Sequence, residues 1–102
     1  MRALPLACSL QGAELRERAE RWRDVADRGL RSSRKEDGAV VLSFARQEGL
    51  EAELRELIEL ERECCAFLEL TLEDRAGLDL RISGPPGSEA VLDSFAELSP
   101  RA

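Results

Sequence analysis

The chain reads as an α+β two-layer sandwich: a four-stranded antiparallel sheet with helices on one face, in the order α-β-β-α-β-β-α. Three observations predict this. Apolar residues recur at helical spacing in two long segments and one short one. Between them lie runs that alternate apolar and polar residues with period two. Each such run is apolar on one face only, the mark of an antiparallel sheet covered on a single side.

The first helix spans about residues 12–28. Leu15, Ala19, Trp22 and Ala26 form its stripe, and Gly29 follows as a candidate left-handed cap. Asp37-Gly38 is a two-residue hairpin signature, followed by Val40, Leu42 and Phe44 on alternate positions of a strand over 40–45. The strand before that turn is polar and reads as an edge. From Leu50 to Cys65 the pattern returns to helix, with Leu50, Leu54, Leu57 and Ile58 on one side and glutamates on the other. "FLELTLE" over 67–73 and "LDLRIS" over 78–83 form a second hairpin, with a turn ending at Gly77. After "GPPG", Ser88 is placed to cap a short helix that turns Val91, Leu92, Phe95 and Leu98 inward. No repeat or linker interrupts the 102 residues, so residues 1–102 form one domain.

Composition narrows the function. Hydrophobic content of 43% with 35% charged residues is globular, and leucine dominates the apolar set, so the core is expected to be aliphatic. The net charge of −6 argues against nucleic acid as a partner. It is uneven: residues 1–35 carry nine Arg or Lys against five acids, which makes +4 and leaves −10 for the rest. No apolar run reaches membrane-spanning length, and the stretch before Cys8 is too short for a signal peptide. The three cysteines, Cys8, Cys64 and Cys65, are odd in number and two are adjacent, which is no secreted disulfide framework. The expected compartment is the cytoplasm. The uncovered sheet face leaves room for a homodimer.

The chemistry concentrates in "ELERECCAFLEL". Stepping about 100° per residue from Leu50 places Leu57 near 340°, Glu61 near 20°, Cys64 near 320° and Cys65 near 60°. Glu61 therefore falls inside the apolar stripe, with the two thiols at i+3 and i+4, the spacing at which helix side chains meet. Cysteine also packs well as a small hydrophobe, and a glutamate near a helix end can reach water or an arginine. An unpaired buried carboxylate is costly, so Glu61 is expected to be protonated, paired with an arginine or bound to an ion.

Adjacent cysteines make a strained disulfide, and the negative pole of a helix C-terminus disfavours thiolate, which weakens a redox reading of the pair. A soft metal or metalloid displaces the thiol protons itself. Cys8 precedes a helix start, where thiolate is favoured, and joins the patch if the N-terminal segment packs across the second helix. Three sulfurs suit Cu(I), Hg(II) or As(III); zinc wants a fourth ligand, for which Glu61 is the nearest candidate. With no His and no Tyr, and with no P-loop, dinucleotide fingerprint or nucleophile elbow, the usual enzyme machinery is missing from the sequence. The "GPPGS" loop is better explained as a turn and cap than as an anion site.

The elements "LACSL", "LERECCAFLEL" and "LRISGPPG" together resemble a family of small uncharacterised bacterial proteins. Its members carry a cysteine near the N-terminus and a Glu-x-x-Cys-Cys-Pro-Phe element. The resemblance spans nearly the whole chain and implies Cys8, Glu61, Cys64, Cys65 and Phe67 as motif positions, with a link to heavy-metal handling. This chain departs at Ala66, where the family has proline, and at Gln11-Gly12, where a better helix cap is usual.

The leading expectation is a small cytoplasmic protein that binds a thiophilic metal or metalloid ion through Cys8, Cys64 and Cys65, with Glu61 as ligand or outer acceptor. Behind it stand a thiol-dependent redox enzyme with Cys8 as nucleophile and a structural or dimerisation module with core cysteines.

Overall fold

The computed structural model describes residues 13–64, 67–74 and 77–98, without the side chains of residues 13–15 and 64. Its elements are α1 (Ala13–Gly29), β1 (Leu30–Glu36), β2 (Ala39–Phe44), α2 (Leu50–Cys64), β3 (Glu69–Asp74), β4 (Leu78–Ser83) and α3 (Glu89–Ala96). All strand pairs are antiparallel and the sheet runs β1-β2-β4-β3. Each hairpin contributes one central and one edge strand, and α2 carries the chain from β2 across to the far edge at β3. The expected fold class and element order are those observed.

Period-two patterning fixes the inner face. Val40, Leu42 and Phe44 stand opposite Ile82, Leu80 and Leu78, and these in turn oppose Leu70, Leu72 and Asp74. The helices add Trp22, Val25 and Ala26 from α1, Leu50, Leu54, Leu57 and Ile58 from α2, and Val91, Leu92 and Phe95 from α3 to the same apolar cluster. Trp22 and Phe95 meet edge to face at 5.2 Å between ring centroids, which locks α1 to α3. Burying one leucine here contributes about 1.5–3 kcal/mol, so truncating the fully buried Leu80 to alanine is expected to cost about 2–5 kcal/mol.

The polar strand β1 is an edge, as its composition implies. Its inward positions Ser33 and Lys35 lie beside Leu42 and Val40 and are used by α3. Ser33 Oγ donates to the Ala96 carbonyl at 3.1 Å, and Lys35 pairs with Asp93. On the outer face, Ala39 and Val41 are nevertheless buried, because β2 is central and Val41 lies between Arg34 of β1 and Arg81 of β4. The stems of those arginines cover apolar surface while their charged ends remain in water. That face offers a second copy charges and hydroxyls in place of an apolar patch.

Three local expectations are corrected. Gly29 does not adopt a left-handed conformation; it closes α1 where a Cβ would stand 2.6 Å from Leu50 Cδ2, so its smallness lets the start of α2 approach. The left-handed residues at the first hairpin are Asp37 (φ 49°) and Gly38 (φ 77°), the pair a type I′ turn requires. Ser88 occupies the cap position of α3 without a side-chain cap bond; its hydroxyl donates to the Pro85 carbonyl, closing the turn before the helix. Ala19 is exposed, while Val25 is fully buried. At about 100° per residue Ala19 lies ~60° from Trp22, on the side away from Val25, at the margin of the buried stripe.

Candidate functional site

The site forms where α1 meets α2. Glu61 is only 5% exposed, inside the stripe where its position in the helix puts it. Its Oε2 accepts a hydrogen bond from Trp22 Nε1 at 2.9 Å and another from Arg18 Nη1 at 3.2 Å. Arg18 is itself largely covered, with 14% of its side chain exposed. Of the three states expected for this carboxylate, the structure shows pairing with an arginine.

A second link lies farther along. Arg21 Nη2 donates to Glu53 Oε2 at 2.9 Å and reaches Glu56 Oε1 at 3.4 Å. The hydrogen bond to Glu53 is the main cause that holds the Arg21 guanidinium above its ordinary pKa. Read together, residue 18 meets 61 while residue 21 meets 53 and 56, so α1 and α2 run antiparallel. The first turn of α1 and the last turn of α2 therefore lie at the same end of the molecule.

Charge at that end is arranged around α2. Arg62, in its last turn, donates from Nη2 to the Leu70 carbonyl at 2.9 Å and from Nη1 to Glu59, which ties α2 to the edge strand β3. A cation there, and Arg18 from the neighbouring helix, oppose the negative pole of the helix terminus. Leu60 and Phe67 are half-buried beside the core on the same part of the fold.

Among the expected site residues, Glu61 is placed as described and Cys64 is the last residue of α2. Cys8, Cys65 and the side chain of Cys64 lie outside the described residues. Among the described residues no group of three or more Cys, Asp or Glu is arranged to hold a metal ion, and no helix is long and apolar enough to cross a membrane. A groove of about 340 Å³ lies between α1 and α3, lined by Arg23, Ala26, Asp27, Ser94, Glu97 and Leu98.

Sequence reasoning missed Arg18 and Trp22 as partners of Glu61. The signal was present. Arg18 sits one turn before Trp22 on the apolar stripe of α1, as Glu61 sits within that of α2, so each helix carries one charge, of opposite sign, in its buried face. Comparisons with family models, with curated proteins and with solved structures match nothing to this chain.

Proposed function

We propose that the protein binds a thiophilic metal or metalloid ion through Cys8, Cys64 and Cys65 in a reducing cytoplasm, with Glu61 as the acid that organises the site. The observation that carries this reading is the antiparallel seam. α1 begins at the end of the molecule where α2 stops at Cys64. Cys8 precedes Ala13 by five residues, a span of at most ~17 Å of extended chain, so the N-terminal thiol has the reach to join the vicinal pair.

The chemistry follows from the ligands. Thiolate sulfur favours soft ions, and binding drives off the thiol protons, so a helix terminus that disfavours free thiolate does not prevent coordination. Arg18, Trp22 and Arg62 fix the last turns of α2 on both sides, which lowers the ordering cost of presenting two adjacent thiols. The resemblance to the bacterial Glu-x-x-Cys-Cys-Pro-Phe family rests on these same residues and belongs to the proposal.

Native mass spectrometry of the reduced protein with Zn(II), Cu(I), Hg(II) and As(III) tests it. One ion per chain is expected, lost in Cys64→Ser and Cys65→Ser and weakened in Cys8→Ser. An apo mass with every ion, or adducts indifferent to all three substitutions, would reject the site.

A further inference from the structure

The two edges of the sheet are finished differently. On β1 the inward positions are polar, and α3 uses them through Ser33 and Lys35. On β3 they include Leu70 and Leu72. In the row Leu42, Leu80, Leu72 the first two are fully buried, while Leu72 stays half-buried at the margin, with Leu60 and Phe67 half-buried against the same core. We propose that the outer edge of β3 is the docking site for residues 4–8 of this chain, which add to it as a fifth, antiparallel strand. Those residues lie outside the described ones, and the inference does not rest on the thiol-site reading.

The backbone of β3 is aimed for this. Glu36 and Ala39 flank the two-residue turn and so exchange both of their ladder bonds. Alternation then turns the N–H and C=O groups of Val40, Leu42 and Phe44 toward β4, where Ile82, Leu80 and Leu78 return them. Leu70, Leu72 and Asp74, opposite those three, aim theirs away from β4, at the outer edge. The Arg62 guanidinium of α2, which donates to the Leu70 carbonyl, marks that direction. Outward backbone groups beside a half-buried leucine form a template for a strand.

The sequence supplies the strand. In "LPLAC", Leu4, Leu6 and Cys8 alternate with Pro5 and Ala7. A strand bonded to Leu70, Leu72 and Asp74 bonds through the residues that share their face. Inward Leu4, Leu6 and Cys8 therefore carry the ladder, and Pro5 turns its nitrogen to the new edge. Proline has no N–H to give, and at an edge none is needed. The opposite facing would expose both leucines and cost a ladder bond at Pro5. Hydrophobic pattern and proline position select the same arrangement independently. Reach and direction agree with it. Residue 8 stands five residues before Ala13, at most ~17 Å of extended chain. Because α1 begins at the end where α2 stops, and β3 starts five residues after Cys64, a strand running toward α1 meets β3 antiparallel. Leu6 then lies beside Leu72.

Amide hydrogen exchange of the full chain, read by NMR, tests this. In wild type the N–H groups of Leu72 and Leu6 are expected to be protected and that of Ala7 to exchange freely. Leu6→Pro removes a ladder donor and should speed Leu72 exchange by about 10-fold or more. Ala7→Pro replaces an outward N–H and should leave it within about twofold. If Leu6→Pro does not fold, Leu6→Asp, which cannot cover Leu72, carries the same expectation. An unprotected Leu72 amide in wild type overturns the proposal, as does an equal response to the two proline variants. Protection that survives Leu6→Pro and grows with protein concentration also overturns it and assigns the edge to a second copy.

Discussion

Two of the protein's arginine–glutamate clusters differ in everything except chemistry. In the seam between α1 and α2, Arg18 and Glu61 are 14% and 7% exposed at the side chain, with Trp22 donating to the same oxygen. On the outer sheet face, Arg34 Nε donates to Glu36 at 2.7 Å and Arg81 Nη1 donates at 3.5 Å, all three open to solvent. The lattice on the sheet can be removed piece by piece because water replaces each partner. The seam cannot, because its members were desolvated together and each depends on the other. Buried pairing of this kind is a weak source of net stability but a strong constraint on geometry. Here it holds the end of α2 in register with the start of α1.

The largest expected effect follows from breaking one side of the seam. Glu61→Ala leaves a covered guanidinium and an indole N–H without their acceptor and is expected to cost about 3–5 kcal/mol in urea unfolding. Replacing both charges with apolar residues of similar volume, Arg18→Met with Glu61→Met, should recover most of that loss, since the desolvation cost leaves with the pair. A double variant as unstable as Glu61→Ala would show that the charges supply net stability, and the contrast with the sheet face would have to be redrawn.

Trp22→Phe comes next. It keeps most of the ring contact with Phe95 but loses a hydrogen bond to a charged acceptor, worth about 1.5–3 kcal/mol. Gly29→Ala should be milder, about 1 kcal/mol or less, because the close atom is a methyl group at the end of Leu50. Thermal melts order these two.

The sheet face gives the smallest effect. Arg34→Ala should leave the melting curve unchanged within error. Its influence shows instead in titration: the hydrogen bond from Arg34, reinforced by its charge, holds the Glu36 carboxyl below its ordinary range. A lowered folded pKa means the contribution is present above the ordinary carboxylate range and is lost as pH falls through the Glu36 value. Carbon-detected NMR titration should show Glu36 below its usual position in wild type and back toward it in Arg34→Ala; no difference between the two would remove the coupling.

How much of this was legible in the sequence differs between the same two regions. Alternation in "AVVLSF", "ELTLE" and "LDLRIS", with Asp37-Gly38 at the first turn, sufficed for the sheet because period two assigns every side chain to a face. The inward position of Glu61 was legible for the same reason at helical period. Its partners were not, since long-range pairing depends on how two helices dock, which no local pattern encodes. Arg18 does not stand out among the nine Arg or Lys of residues 1–35 and Ala19 reads as core, because arginine is usually exposed and alanine is small enough to sit anywhere. Ser88 and Gly29 were right in position and wrong in role: a buried turn claimed the hydroxyl, and close helix approach claimed the missing Cβ.

The central proposal is that Cys8, Cys64 and Cys65 together hold a thiophilic ion. X-ray absorption spectroscopy at the arsenic edge of the reduced, As(III)-loaded protein addresses this directly. The account predicts a nearest shell of three sulfurs, reduced in sulfur count by Cys8→Ser, Cys64→Ser or Cys65→Ser. A sulfur count indifferent to all three substitutions, or a spectrum of free arsenous acid, would contradict it.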